Sequence, residues 1–152
     1  MIQRIQSVYL LVVTLLMASI FFYPYAELLA ENSQVYIFQF NGLAFLEEES
    51  IYSLTIPPII LLSIIVLISF TSIFFYKKRI FQMRINLINI ILMIGYLGLN
   101  YYYIQSFSSQ LNGVVSYKIT VVFPFVSAVL TYLAIRAIGK DEALIRSMDR
   151  IR

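Results

Sequence analysis

Cysteine, histidine and tryptophan are absent from this chain of 152 residues. Without cysteine there is no ligand for an iron–sulfur cluster and no thiolate nucleophile. Without histidine there is neither the usual haem ligand nor the usual general base. The two absences together remove the side chains that most zinc sites use. We therefore expect no metal site and no cofactor.

Charged residues are also scarce, since they make up 12% of the chain against 61% for hydrophobic residues. A soluble domain carries about 25% charged residues, so the composition indicates an integral membrane protein whose first partner is the lipid bilayer. Little sequence lies outside the apolar runs, which predicts a single domain over residues 1–152. We expect no nucleic-acid partner.

Four apolar stretches without a charged residue predict four transmembrane helices, because one crossing needs about 20 residues. The predicted spans are about 5–26, 55–76, 85–107 and 119–138, with an outer loop over 27–54 and a tail over 139–152. The third span is predicted to end at Phe107, because serines, Asn112 and Gly113 follow as turn formers. The first stretch is longer than a signal-peptide core and has no good cleavage site, so we expect it to remain as a span.

Basic residues predict the orientation of these spans. Of the 11 basic residues, all but Lys118 lie before the first span, between the second and the third, or at and beyond the end of the fourth, where Arg136 is the first. Positively charged loops favour the cytoplasm, so both termini are expected to be cytoplasmic.

The outer loop contains the signal of a β-hairpin. Asn41-Gly42 lies between two β-prone runs and is a strong turn pair, because both residues tolerate positive φ. The expected register pairs Phe40 with Leu43 and places Phe38 opposite Phe45 on one aromatic face. A two-stranded ribbon is only marginally stable by itself, so this face must pack on the chain's own helices, on lipid headgroups or on another protein.

The third span carries a polar stripe. Its members recur at helical spacing on one face, and they are Asn86, Asn89, Tyr96, Asn100 and Tyr103. A buried amide in lipid needs a partner, so the stripe marks the side of the helix that meets protein. Three interpretations stay open: hydrogen bonds inside the chain's own bundle, a surface for a partner, or a path for a neutral polar solute.

The two halves of the stripe are predicted to differ. Asn86 and Asn89 lie near the cytoplasmic headgroups, where water can partly satisfy them without a protein partner. Asn100 lies deeper, beside Gly95 and Gly98, where we expect another helix to approach closely.

The tail beyond the fourth span is predicted to form a short amphipathic helix, because Gly139 interrupts the span and Asp141 can cap a new helix. The predicted fold is therefore an all-α integral membrane protein. It is a four-transmembrane-helix bundle with a small extracytoplasmic β-hairpin between helices 1 and 2 and a short amphipathic C-terminal helix.

The two ends of the chain resemble those of a known family. Residues 1–10 (MIQRIQSVYL) and the ending 133–152, which contains Lys140-Asp141-Glu142, are similar to a family of small four-span inner-membrane proteins of Bacteroidota. That family is classed as a domain of unknown function. The resemblance covers the whole chain and implies a four-helix topology in a gram-negative inner membrane, and it brings no activity, cofactor or catalytic residue.

The resemblance also directs attention to the cytoplasmic ends. Arg4, Arg136, Asp141 and Glu142 are candidates for pairing there, with Arg4 opposite Asp141 or Glu142.

We expect the function to be that of a non-catalytic accessory or assembly subunit of a larger inner-membrane complex, with the stripe and Phe38, Phe40 and Phe45 as packing or partner contacts. A homodimeric scaffold is its minimal version. The alternative is a small transporter or lipid-handling protein, although coupled transporters usually hold an acidic, basic or histidine side chain in the membrane and the apolar stretches of the four predicted spans hold none. An enzyme is not expected, because a Ser, Thr or Tyr nucleophile would have no histidine to activate it.

Overall fold

The structure of the protein is a computed structural model that describes residues 3–30, 34–45 and 51–149. The described residues form four α-helices, which are α1 (Gln3–Ser19), α2 (Ile56–Phe74), α3 (Arg79–Leu111) and α4 (Phe123–Asp149). They also form five strands, which are β1 (Ala26–Leu29), β2 (Val35–Gln39), β3 (Gly42–Phe45), β4 (Ile51–Leu54) and β5 (Val114–Tyr117). Short 3₁₀ turns follow α2 and precede α4.

The helices pack in a ring in which α1 and α3 each lie against both α2 and α4. Buried positions repeat at the helical period, as Leu10, Val13 and Met17 do on α1, so each helix turns one apolar face to the centre. We call the end of the ring where α1 begins and α4 ends the terminal end. The opposite end, where the strands lie, is the sheet end.

The strands form one antiparallel sheet in the order β4-β3-β2-β1-β5. Strands β1 to β4 connect α1 to α2, whereas β5 comes from the connection between α3 and α4 and pairs with β1. Leu28, Phe38 and Leu43 are fully buried, and the Phe38 ring lies 6.0 Å from that of Phe107 on α3. One face of the sheet therefore packs onto the ends of the helices.

Three helical segments among the described residues are long and apolar enough to cross a membrane, and they are Ile56–Phe74, Arg79–Leu111 and Ile119–Leu144. In α1 the apolar segment Ile5–Ser19 is shorter than this length. The composition and these segments are those of a membrane protein.

The predicted all-α fold class is wrong, because the hairpin is only the centre of a five-stranded sheet. A ribbon of two short strands needs further strands to be stable, and β1, β4 and β5 supply them. The predicted separate C-terminal helix is also wrong, since α4 continues through Gly139 to Asp149. One glycine costs a helix only about 1 kcal/mol, and this one lies against α3, with its Cβ position 3.8 Å from Met83 Sδ.

The hairpin exists, but its register differs from the predicted one. Phe38 pairs with Leu43 and Tyr36 with Phe45, so the two turn residues are Phe40 and Asn41. Gly42 opens β3 at φ +123°, a conformation that favours glycine. The observed pairing is shifted by two positions from the predicted one, so each side chain stays on the predicted face of the sheet. The predicted aromatic face is the one that packs inward.

Helix α3 runs beyond the predicted end at Phe107 to Leu111. It stops at Asn112, which adopts the left-handed conformation with φ 46°. At 33 residues it is about 50 Å long, which is longer than the roughly 30 Å that one crossing of a bilayer's hydrocarbon core requires. The chain then turns directly into β5.

Candidate functional site

Two hydroxyl–amide pairs join α2 to α3. The Ser72 hydroxyl donates to Asn86 Oδ1 at 2.8 Å, and one turn further on Asn89 Nδ2 donates to Ser69 Oγ at 2.8 Å. All four side chains are fully buried. Gln82 Nε2 adds a bond of 2.9 Å to the backbone oxygen of Ser72. These neutral pairs fix the register of the two helices.

A second group of polar side chains lies inside the ring of helices, toward its sheet end. The rings of Tyr25 and Tyr96 meet edge to face, with centroids 6.0 Å apart. Asn100 Nδ2 donates to the backbone oxygen of Tyr96 in its own helix, at 2.8 Å. The contact between Gly139 and Met83 shows which residues of the antiparallel helices α4 and α3 lie side by side. Because both helices rise by the same distance per residue, Ser127 on α4 lies about level with Tyr96 on α3.

This second group, which comprises Tyr25, Tyr96, Asn100 and Ser127, contrasts with the hydroxyl–amide pairs. Its members are almost completely buried. Within the described part of the chain, the two tyrosine hydroxyls, Asn100 Oδ1 and the Ser127 hydroxyl have no hydrogen-bond partner. The group presents only neutral donors and acceptors, so it can bind polar groups but has no ordinary acid or base.

The terminal end is held by a bond between the first and last helices. Gln6 Nε2 on α1 donates to Asp141 Oδ2 on α4 at 2.6 Å, and both side chains are buried. Beside this bond lies a groove of about 420 Å³ between α1 and α4, which we call the terminal groove. Its lining is Ile5, Tyr9, Leu133, Arg136, Ala137, Lys140, Asp141 and Leu144.

A second groove of about 470 Å³ lies between the same two helices toward the sheet end. We call it the sheet groove, and its lining is mainly apolar: Val12, Leu15, Leu16, Ser19, Tyr23, Ile119, Thr120 and Phe123. The two grooves therefore follow the α1–α4 seam from one end of the ring to the other.

Strands β4 and β5 are the edges of the sheet, so each pairs on one side within the described residues. The β5 edge is apolar and accessible, since Val114 is 73% exposed and Tyr117 48% exposed. Partial burial and the neighbouring Tyr101 raise the pKa of Tyr117. Next to this edge Lys118 Nζ forms an ion pair with Glu27 Oε1 at 2.7 Å.

The structure places the predicted polar stripe on one buried face of α3, with Tyr103 at its half-buried margin. The two halves of the stripe behave in the opposite way to the prediction. Asn86 and Asn89, expected to need no protein partner, bond to α2. Asn100 bonds only within its own helix, and no described atom of another element lies within 4 Å of the Cβ positions of Gly95 and Gly98.

The three phenylalanines of the predicted contact set all pack within the chain. Phe38 lies against Phe107, and Phe40 meets Phe21 edge to face at 5.2 Å. Phe45 packs on Tyr36 at 4.7 Å. The hairpin thus covers its own helices.

The candidate pairing at the terminal end takes a different form from the predicted one. Asp141 is bonded to Gln6, Arg136 is exposed beside the terminal groove, and Glu142 is half-buried. The Arg4 side chain lies outside the described part. The two ends of the chain do meet, but the described contact is made by an amide.

Sequence reasoning did not assign Asp141 as the partner of Gln6 or the α2 serines as partners of the asparagines, and it missed β5. The serines had a usable signal: Ser69 and Ser72 are three residues apart, as are Asn86 and Asn89, on neighbouring helices joined by a short connection. Antiparallel helices bring two such pairs together in one register. The signal for β5 was only the β-branched pair Val114-Val115 after Gly113.

The family model described as Domain of unknown function (DUF4293) matches residues 2–151. No curated protein matches the chain.

Proposed function

The chain belongs to the family described as Domain of unknown function (DUF4293), and from its geometry we propose that it is a non-catalytic accessory or assembly subunit of a larger membrane complex. The observation that carries this proposal is the apolar, one-sided β5 edge. An uncovered edge strand is a template for another strand, and native proteins usually blunt such edges with charge or proline. Strand addition to an open edge is a common way of binding an extended segment.

The polar interior supports the same proposal. Ser69, Ser72, Asn86 and Asn89 satisfy one another between α2 and α3, which is a structural use of these groups. Surfaces for a partner are therefore to be sought outside the ring of helices, and β5 offers backbone donors and acceptors there.

We further propose that the ring crosses the membrane four times, with the terminal end in the cytoplasm. In the described part of the chain the basic residues cluster at that end, with the exception of Lys118, whose charge is compensated by Glu27. The resemblance at the chain's ends supports the inner membrane of a gram-negative bacterium of the Bacteroidota. The sheet and its β5 edge would then lie in the periplasm.

A charge on the β5 edge tests the proposed docking. Val114→Lys should release the partner, because a lysine on an edge strand discourages pairing with a further strand. The control is Ser109→Lys, which adds the same charge at an exposed position near the end of α3. Both variants would be solubilised gently from native membranes and sized on native gels, and a photo-crosslinking residue at position 114 would report the neighbour directly.

The proposal expects the native chain and Ser109→Lys to migrate in a larger complex and Val114→Lys to migrate alone. It also expects a crosslink from position 114 to a different protein. A native chain that is monomeric, or a Val114→Lys variant that stays in the complex, would overturn docking at this edge. A crosslinked product of twice the chain's mass would overturn the complex with a different protein and indicate that two copies of this chain pair at the β5 edge.

A further inference from the structure

The terminal groove combines an apolar floor with a basic rim. Ile5 and Tyr9 of α1 face Leu133, Ala137 and Leu144 of α4 across it. Its two basic members, Arg136 and Lys140, are exposed and stand one turn apart on α4, so both reach the same side of the groove.

The positive charge of this rim is not neutralised by a fixed neighbour. Among the described residues, neither Arg136 nor Lys140 has an ion-pair partner. The acidic member of the lining, Asp141, is only 8% exposed and is bonded to the Gln6 amide. The groove therefore presents two cations to its opening and keeps its one carboxylate underneath.

The dimensions of the seam match half of a bilayer. The bond from Gln6 to Asp141 places Tyr9 about level with the rim, and from Tyr9 to Ser19 the face of α1 that lines the two grooves is about 15 Å long, roughly half the thickness of the hydrocarbon core. The α1 positions 5, 9, 12, 16 and 19, which line the terminal groove and then the sheet groove, lie on one face of that helix. An apolar track thus leads from the basic rim along α1.

We propose that the terminal groove binds one anionic phospholipid, with its phosphodiester between Arg136 and Lys140 and an acyl chain on the track along α1. Basic pockets between transmembrane helices are suited to acidic headgroups. The apolar floor can also bind an acyl chain, which a phospholipid has and a free anion does not. This site is independent of the β5 edge, which lies at the other end of the ring.

The test measures lipid binding by the delipidated full-length protein in detergent, by native mass spectrometry during titration. The probes are phosphatidylglycerol and phosphatidylcholine, which share acyl chains and differ in net charge. Arg136→Gln combined with Lys140→Gln removes the rim. The matched control, Lys78→Gln combined with Arg84→Gln, removes two exposed charges near the same end but from the connection to α3 and its first turns.

The native chain should prefer phosphatidylglycerol, and the rim variant should lose about 30-fold in its affinity for it, because each basic residue near a membrane surface contributes about 1 kcal/mol. The control double variant should still prefer phosphatidylglycerol to phosphatidylcholine. An equal loss in both double variants would overturn the site in favour of a diffuse charge effect, and an unchanged rim variant would overturn it outright.

A third variant separates a lipid from a free anion. Ala137→Phe keeps both charges and fills the floor between α1 and α4, so it should weaken phosphatidylglycerol binding while leaving the folded protein intact by circular dichroism. Inorganic phosphate at millimolar concentration should not displace the lipid. Full displacement by phosphate, or normal lipid binding by Ala137→Phe, would show that the acyl track plays no part and would overturn the proposal.

Discussion

The Ser69 hydroxyl makes two hydrogen bonds in the interior of the helix ring. It accepts a bond from Asn89 Nδ2 and donates its own proton to the backbone oxygen of Ile65, at 2.9 Å. Within the described part of the chain the other side of the amide, Asn89 Oδ1, is buried without a partner. Each interhelical hydrogen bond in a membrane contributes about 0.6–2 kcal/mol to stability, so the loss of the Ser69 hydroxyl should be measurable.

Removing this hydroxyl should cost more than removing the pair. Ser69→Ala leaves both ends of the Asn89 amide unsatisfied, which we expect to lower the free energy of unfolding by about 1–3 kcal/mol. Adding Asn89→Leu takes the stranded amide away and should restore most of the loss. Unfolding by a denaturing detergent, followed by circular dichroism, measures both changes.

The control for that cycle is Ser63→Ala on the same helix. Its hydroxyl is half-buried and bonds only to Ile59 O in its own helix, so little should change. Additive losses in the double variant of Ser69 and Asn89 would contradict the pairing.

At the scale of elements, the sheet depends on glycines where the helices do not. Gly42 has φ +123°, and a Cβ there would clash with the backbone oxygen of Ser53 in β4. A Cβ at Gly113 would lie 2.8 Å from the backbone oxygen of Leu29 in β1. By contrast, the Cβ positions of Gly95 and Gly98 meet no described atom of another element within 4 Å.

The same substitution should therefore have opposite results in the two elements. Gly42→Ala should cost about 3 kcal/mol or more, because it combines backbone strain with the clash. Gly98→Ala should be neutral or stabilise by up to about 1 kcal/mol, because alanine restricts the unfolded chain at no cost in the helix. Thermal unfolding in detergent compares them, and equal losses would refute the contrast.

The helices were predictable and the sheet was not, for a physical reason. A span is a local property, since about 20 apolar residues are enough to predict it, and three of the four predicted spans are found as long apolar helices. Strands β1, β4 and β5 are four residues each, and β1 with β5 is a pairing of segments nearly 90 positions apart. Only the Asn41-Gly42 turn carried a local signal, and it gave the faces correctly but not the register.

The candidate site, like the fold, was predictable from sequence only where the signal was local. The helical period of α3 gave its buried polar face from sequence, because the spacing of Asn86, Asn89 and Asn100 is a local pattern. The partners on other helices depend on the register between helices, which the spacing on one helix does not contain. The bond from Gln6 to Asp141, 135 positions away, had no local signal.

At the scale of the whole molecule, two long-range links bear on the shortest helix. The pairing of β1 with β5 holds the end of α1 at the same surface as the end of α3. The bond from Gln6 to Asp141 holds its beginning beside the last turns of α4. With 17 residues α1 is about 26 Å long, and the turn over residues 20–22 extends it toward the sheet. These links support the proposal that α1 is a fourth crossing.

Because the chain has no native cysteine, single cysteines can test that crossing. Tyr23→Cys lies between α1 and β1 and is 60% exposed in the native chain, and Ser147→Cys is exposed near the end of α4. In spheroplasts an impermeant maleimide should label Tyr23→Cys at once and Ser147→Cys only after permeabilisation. Ser109→Cys, at the end of α3, should behave as Tyr23→Cys does. If Ser109→Cys is labelled from outside but Tyr23→Cys is not, α1 does not cross, and the β1–β5 pairing could not persist in the membrane.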